Sequence, residues 1–349
     1  MKIQKNELAQ KINKLKSIVP KKVTMPVLQG ILVRDGYLIA SNMELTVKAK
    51  IEGAEGESFI IPAKAFDLIN NLPNEELEII PETNKTITIK AEKIKNTYQT
   101  MDPKAFPVSE VPEDDNNITI KSEIILESMK RVSYAIPAQS GNQIMTALCL
   151  SAADGMLNFV GLDGHVIAWD QITYEGEFTL LIPKATVEKI LSLGLEGDVA
   201  IKHSDSSAVF VTEEYEIYTR LIAGEYFKFQ KMFEELPLHI TMPRNEFLES
   251  ITRAKMCVDE QRPVRLEFVG ETLNISIKDT TTDYYETIPL QEELSQELII
   301  GFNAKLIIET LKAFESKNIA IQMAGPKQPI IVKTKDSNFR ALVLPVAMK

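Results

Sequence analysis

A chain of 349 residues has room for two or three domains, and its 44% hydrophobic and 25% charged content is that of an ordinary globular protein. No apolar run approaches the roughly 18 residues a membrane-spanning helix needs, and Met1 to Asn6 lacks the apolar core of a secretory signal. The net charge of −10 argues against gripping nucleic acid by bulk attraction. Cys149 and Cys257, both in apolar company, fit buried thiols in a reducing cytoplasm, with neither a disulfide framework nor metal-ligand spacing.

In chain order, Lys2 to Gln4 alternates as a strand, and Leu8, Ile12, Leu15 and Ile18 then form one apolar stripe at helical spacing. Three short alternating runs follow, Gln29 to Arg34, Tyr37 to Ser41 and Leu45 to Ile51. Asp35-Gly36 marks a tight hairpin between the first two. Ser58 to Ile61 reads as another strand, with a helix over Ala63 to Leu72 that is apolar at Phe66, Ile69 and Leu72. Strands over Glu76 to Ile80, Thr86 to Lys90 and Thr97 to Met101 complete the pattern. The first third of the chain is thus βαβββ written twice.

The same text then returns. Met1 to Pro20 is repeated by Ile118 to Pro137 and again by Ile240 to Val258. Phe59-Ile60-Ile61-Pro62 returns as Leu180-Leu181-Ile182-Pro183, and more loosely as Ile299-Ile300-Gly301-Phe302. A period near 120 residues is that of a domain. The expected architecture is α+β: three tandem copies of one domain at 1–117, 118–237 and 238–349, each with two βαβββ halves and helices on one face of antiparallel sheets. The acidic, proline-punctuated stretch from Pro107 to Asn117 reads as a linker, as does Glu234 to Pro237.

Little in the sequence looks catalytic: no phosphate-cradling glycine loop, no nucleophile elbow and no paired-histidine metal motif. Gly161-Leu162-Asp163-Gly164-His165 is the sharpest local constellation. Asp163 and His165 could serve as an acid–base pair, but Asp-Gly also suits a hairpin between Leu157 to Val160 and Val166 to Asp170. Tyr226, Phe227, Phe229 and Phe233 cluster behind Gly224, and the tail from Ala341 to Lys349 is apolar and broken by Pro345. Both features suit interdomain packing or an apolar groove for a partner's peptide. Basic residues gather on the helices while acids concentrate at Glu110 to Asp115, Glu213-Glu214 and Glu292-Glu293. Such patterning is either solvated helix surface or a basic face on an acidic body.

Together these residues resemble the bacterial sliding clamps, the beta subunits of DNA polymerase III. The resemblance spans the whole chain. It rests on the threefold repeat, on Thr24-Met25-Pro26-Val27-Leu28, on Asp163-Gly164-His165, on Arg220-Leu221-Ile222-Ala223-Gly224-Glu225-Tyr226, on Ile300-Gly301-Phe302-Asn303 and on Leu344-Pro345. It implies a clamp fold assembled as a head-to-tail homodimeric ring around double-stranded DNA, with no catalysis and no cofactor or metal. Polymerase and clamp-loader subunits would bind through short peptide motifs. By family position the peptide pocket would comprise Met145, Leu162, Gly164, His165, Ile167, Phe227, Lys231, Met232, Leu342, Val343, Leu344, Pro345 and Val346. The dimer joint would involve Phe106, Met256 and Cys257. Val166 departs from the family, standing where a basic residue commonly follows the histidine, and Phe227 stands where proline is frequent.

Size supports a dimer independently. A domain of this length is a ball about 30–35 Å across. Three such balls enclose a gap of only ~5 Å, whereas six leave a hole as wide as one ball, enough for a duplex about 20 Å across. Basic helices would line that hole and touch phosphates without reading bases. The DNA-facing candidates are Lys11, Lys14, Lys22, Lys130, Arg131, Arg253 and Lys255. Two other readings are a clamp-like scaffold that binds peptides without loading on DNA, and an Asp163/His165 enzyme.

Overall fold

The structure is a computed structural model and describes every residue except Val23, Asn84, residues 110–116 and 258–261, Asp279, Gln291 and Lys349. Most of the predicted acidic linker, at 110–116, therefore lies outside the described residues.

The first repeat runs β1 (Lys2–Gln4), α1 (Lys5–Leu15), β2 (Gly30–Arg34), β3 (Tyr37–Ser41), β4 (Leu45–Lys50), β5 (Ser58–Pro62), α2 (Phe66–Asn71), β6 (Glu76–Thr83), β7 (Thr86–Ala91) and β8 (Ile94–Gln99). The second runs β9 (Asn117–Lys121), α3 (Ser122–Ser133), β10 (Ala147–Ala153), β11 (Met156–Leu162), β12 (Val166–Thr173), β13 (Phe178–Pro183), α4 (Lys184–Leu193), β14 (Asp198–His203), β15 (Ser207–Val211) and β16 (Tyr215–Arg220). The third runs β17 (Leu238–Pro243), α5 (Arg244–Met256), β18 (Val264–Val269), β19 (Thr272–Lys278), β20 (Asp283–Pro289), β21 (Leu298–Phe302), α6 (Ala304–Lys312), β22 (Asn318–Met323), β23 (Ile330–Lys333) and β24 (Arg340–Val343). The α+β architecture with βαβββ halves is present in all three.

Compact packing does not follow the repeats. One unit comprises Met1–Leu126 with Glu188–Leu221, the other Glu127–Val187 with Ile222–Lys349. The cause is strand pairing. In the first unit an eight-stranded sheet is ordered β5-β2-β3-β4-β16-β15-β14-β9, so β4 of the first repeat joins β16 of the second, Val47 opposite Ile217. In the second unit the order is β13-β10-β11-β12-β24-β23-β22-β17, and β12 joins β24 with Ile167 opposite Leu342. Each unit also holds a four-stranded sheet, β1-β6-β7-β8 in the first and β20-β19-β18-β21 in the second.

Period-three-to-four apolar spacing makes α1 a helix, and its stripe of Leu8, Ala9, Ile12 and Leu15 is buried. In the second unit α5 buries Phe247, Ser250, Ile251 and Ala254, and α6 is capped by Asn303, whose side chain accepts from the Lys305 and Leu306 amides. The hairpin at Asp35-Gly36 has positive φ at both positions, 49° and 82°, as a two-residue turn with the strands' own twist requires. Two elements differ from expectation. The strand predicted over Thr97 to Met101 is β8, which starts at Ile94 because the turn at Glu92-Lys93 brings Ala91 opposite Ile94. The helix predicted from Ala63 begins as a 3-10 turn over Ala63–Ala65 and becomes α-helical only at Phe66.

Candidate functional site

The second unit gathers one apolar cluster around the join of β12 and β24. Alternation along the strands sends Ile167 and Trp169 of β12, and Leu342 of β24, to the same sheet face. There they pack with Leu162, Cys149, Leu181, Tyr226 and Phe229, all buried, and Met145, Ile144, Phe233 and Leu344 flank them. Trp169 is central. Phe229 and Phe233 meet its ring edge-on at centroid distances of 4.9 and 5.2 Å, and the Arg340 guanidinium stacks 3.8 Å from it. Burial lowers the pKa of Arg340, with Asp170 opposing that shift.

A polar ladder fixes this arrangement. The Trp169 indole donates to Asn158 Oδ1 at 2.9 Å and Gln171 Nε2 donates to the same oxygen at 2.8 Å, while Arg340 Nη2 donates to Gln171 Oε1. These bonds hold the indole in one orientation under the cluster, while the buried Arg340 Nε has no hydrogen-bond partner among the described residues. Tyr226 hangs from Val160 O, and burial drives its phenol far above the usual range.

Gly161 is glycine because α3 ends against it. A Cβ there would lie 2.6 Å from Val132 O and 2.9 Å from Ile136 Cγ1. Gly164 turns the chain at φ +86°, and a Cβ would sit 3.4 Å from Met145 Cε. Asp163 Oδ1 accepts from the His165 and Val166 amides at 2.8 and 2.9 Å, so its carboxylate builds the turn. His165 is exposed, and its carbonyl accepts from the Leu344 amide at 2.8 Å. The acid–base pair allowed by the sequence is therefore a structural turn whose carboxylate is already engaged by backbone.

The predicted pocket residues divide accordingly. Leu162, Ile167 and Leu342 are in the cluster's buried floor, Met145 and Leu344 are at its flank, and Gly164 and His165 form the adjoining turn. Phe227, at 39% exposure, and Met232, at 46%, stand outside the cluster, with Lys231 exposed between Phe229 and Met232. Val343 is a correction: it pairs with Val166 and Ile330 on the opposite sheet face and is wholly buried there. Val346 is drawn away from the cluster by its amide's bond to Gly301 O at 2.9 Å, and half-buried Pro345 bridges the two places. Sequence reasoning missed Trp169 and Arg340; the chain's single tryptophan sits on a strand whose alternation points it at the same face as Ile167.

The predicted DNA-facing cations are of two kinds. Several are engaged internally. Lys11 pairs with Glu214 at 2.6 Å, Lys14 Nζ donates to Leu193 O and Tyr215 Oη at 2.9 and 3.3 Å, Arg131 holds Glu127 and Asp170, and Arg253 holds Glu286. Lys22, Lys130 and Lys255 make no ion pair with any carboxylate among the described residues, and Lys22 and Lys130 are exposed. At the predicted joint, Met256 is 79% exposed at the end of α5 and Cys257 is half-buried. Phe106 is a correction: at 4% exposure it packs with Val27, Leu28, Leu32, Ile39 and Ile60, and it supports the sheet from within instead of forming contact surface.

Models of the DNA polymerase III beta subunit match the chain at both ends, the N-terminal domain over residues 1–110 and the C-terminal domain over residues 234–347. Together they cover well over half of it. The chain belongs to the DNA polymerase III beta subunit family. The beta sliding clamp of Halalkalibacterium halodurans is 22% identical over 363 residues, covering 96% of this chain and 95% of the relative. That of Pseudomonas aeruginosa is 22% identical over 358 residues and covers 98% of each. Among solved structures, a putative DNA polymerase III beta subunit from Eubacterium rectale superposes with a TM-score of 0.92 at 24% identity over 99% of both chains. A Pseudomonas aeruginosa clamp bound to griselimycin gives 0.93 at 20% identity, covering 100% of this chain and 99% of the other. The structures speak for the clamp fold, while the family carries the function, that of a DNA sliding clamp and not of a catalyst. Among the described residues no helix is long and apolar enough to cross a membrane.

Proposed function

We propose that two copies of this chain close head to tail into a ring around duplex DNA, with the repeats at 1–117, 118–237 and 238–349 as its domains, and that the Trp169 cluster captures short peptide motifs of polymerase and clamp-loader subunits. One observation carries the ring. Within the chain, the last strand of a repeat's first half pairs with the last strand of the next repeat's second half, β4 with β16 and β12 with β24. The rule leaves β20 and β8 at sheet edges. An exposed edge is a template for another chain. Applied once more, the rule pairs β20 of one copy with β8 of a second, and twofold repetition closes the ring. Tyr285 on β20 is 63% exposed and Ile94 on β8 is 39% exposed, apolar groups such a joint would cover.

For the pocket, the support is an apolar floor rimmed by exposed Phe227 and Met232, the side chains a partner's peptide would bury. The deciding experiment is retention on nicked circular DNA after loading by a clamp loader. Protein that stays on circles and slides off after linearisation is a topological clamp. Equal loss from both forms would leave a peptide-binding scaffold. Deleting Pro345 to Lys349 should abolish binding of a glutamine-led apolar peptide while leaving the dimer mass unchanged; unchanged affinity would remove the pocket.

A further inference from the structure

The first repeat contains a second groove built from the same parts as the Trp169 pocket. In the second repeat the pocket is framed by the turn ahead of β10, the edge strand β13 and the segment after β16, where the Ile222 amide donates to Leu181 O at 2.9 Å. In the first repeat the corresponding parts are the turn Pro26–Leu28, edge strand β5 and the segment after β8, where Thr100 Oγ1 donates to Ile60 O at 2.8 Å. In the third, the corresponding edge strand, β21, is covered by the chain's own tail through the Val346 amide and Met348, which lies against Gly301. An extended apolar segment thus already occupies this kind of strand edge within the molecule.

In the first repeat the place is an open cavity of about 740 Å³. Val27, Ile60 and Phe66 form its buried floor, and Met101, at 46% exposure, forms a wall. Its rim carries Lys16, Lys21 and Lys64, all exposed, and none of its described lining residues is acidic. None of the three lysines pairs with a carboxylate among the described residues. A cluster of unneutralised lysines is notable in a chain of net charge −10. Duplex phosphates would need the lysines but not the apolar floor. A cavity of this size suits three or four side chains, and its charge calls for carboxylates beside them.

We propose that this groove is a second docking site, specific for an acidic peptide carrying two or three large apolar side chains and supplied by a partner protein. The site is distinct from the Trp169 pocket and stands on its own lining; the likeness between the two only suggests how the peptide lies, extended along β5. It would allow one chain to hold two partner segments of different charge at once.

The test uses the full-length protein and a fluorescein-labelled nonapeptide with aspartates flanking two leucines and a phenylalanine, followed by anisotropy at low and moderate salt. Binding should weaken at least tenfold in K16E/K21E/K64E and again in Met101→Asp, and it should be unaffected by deleting Pro345 to Lys349. Circular dichroism and melting temperature establish that each variant is folded. No binding by the wild type, or full binding by the folded triple variant, overturns the proposal. So does loss of binding on tail deletion, which would put the probe in the Trp169 pocket. A triple variant that keeps the peptide but loses a labelled duplex would reassign the lysines to phosphate. A glutamine-led apolar peptide, titrated in parallel, reports on the Trp169 pocket alone, so failure of one site is read separately from failure of the other.

Discussion

Arg253 grips Glu286 with two nitrogens, Nη2 at 2.6 Å from Oε1 and Nε at 3.2 Å from Oε2, and so ties α5 to the edge strand β20. Ser250 and Tyr284 donate to the same carboxylate. The hydrogen bonds from Arg253, ahead of those from Tyr284 and Ser250, outweigh desolvation and hold the Glu286 carboxyl at about 2 instead of its ordinary 4.5. A depressed carboxylate stabilises the fold above its unfolded value and loses that contribution as pH falls through the folded one. Between about pH 4.5 and pH 2, wild type should therefore lose melting temperature relative to Glu286→Gln, which lacks that titration. Parallel melting curves for the two proteins across that window would exclude the linkage.

The close approach at Gly161 makes a second test. Gly161→Ala places a methyl 2.6 Å from Val132 O, a backbone atom that cannot swing aside. Overpacking of this kind costs about 1–3 kcal/mol. Urea unfolding should show a lower midpoint, and an unshifted midpoint would mean that α3 moves away freely.

The two cysteines should separate in reactivity. Burial pushes the Cys149 thiol up to about 12, against a smaller opposing effect of a hydrogen bond with Ser151. Cys257 is half-buried at the end of α5. Because the thiolate is the nucleophile, a thiol reagent at pH 8 should titrate one group in the native protein and two in denaturant. Two fast native equivalents would contradict the burial of Cys149.

Much of this was legible in the sequence, and the failures have physical causes. Helical and alternating periodicity located nearly every element of the first repeat, because burial of one face is what that pattern encodes, and the repeat carried the pattern to the other two. The joining of β4 to β16 and β12 to β24 was not legible, since a strand's sequence records which side is buried and not which strand lies beside it. Phe106 illustrates a related difficulty: family position suggested a contact surface, but its side chain points into the first repeat's core. Phe227 and Met232 follow from family position in the same way, whereas Trp169 and Arg340 lie deeper in the cluster and are brought together only by the β12–β24 pairing.

Two substitutions at positions that the family resemblance assigns to the joint should behave oppositely. Met256→Asp alters a side chain that is 79% exposed, so it should shift the mass from near twice 39.2 kDa toward the monomer while each domain stays folded. Phe106→Ala removes a buried ring and should cost about 3–5 kcal/mol of stability before any effect on assembly. Light scattering with parallel melts checks both. An unfolded Met256→Asp would place that residue in a core and the joint elsewhere.

Binding to DNA should depend on the free cations and not on the engaged ones. Lys14, Arg131 and Arg253 already satisfy partners within the molecule, so reversing them would bring carboxylates against Tyr215, Asp170 and Glu286 and disturb folding first. Lys22, Lys130 and Lys255 lack such ion pairs among the described residues, and one comes from each repeat. Charges at the surface are screened within about 8–10 Å at ordinary salt, so a single reversal should change little. Reversing all three to glutamate should shorten retention on circular DNA equally for any template sequence. The slope of log affinity against log salt should become shallower by about 0.9 for each phosphate that is no longer neutralised. The melting temperature should remain that of wild type, since none of the three supports an ion pair among the described residues. A triple variant that loads and slides normally would show that these lysines do not face the duplex. A loss confined to particular sequences would be equally damaging, because a ring that touches only phosphates has no means of telling one base pair from another.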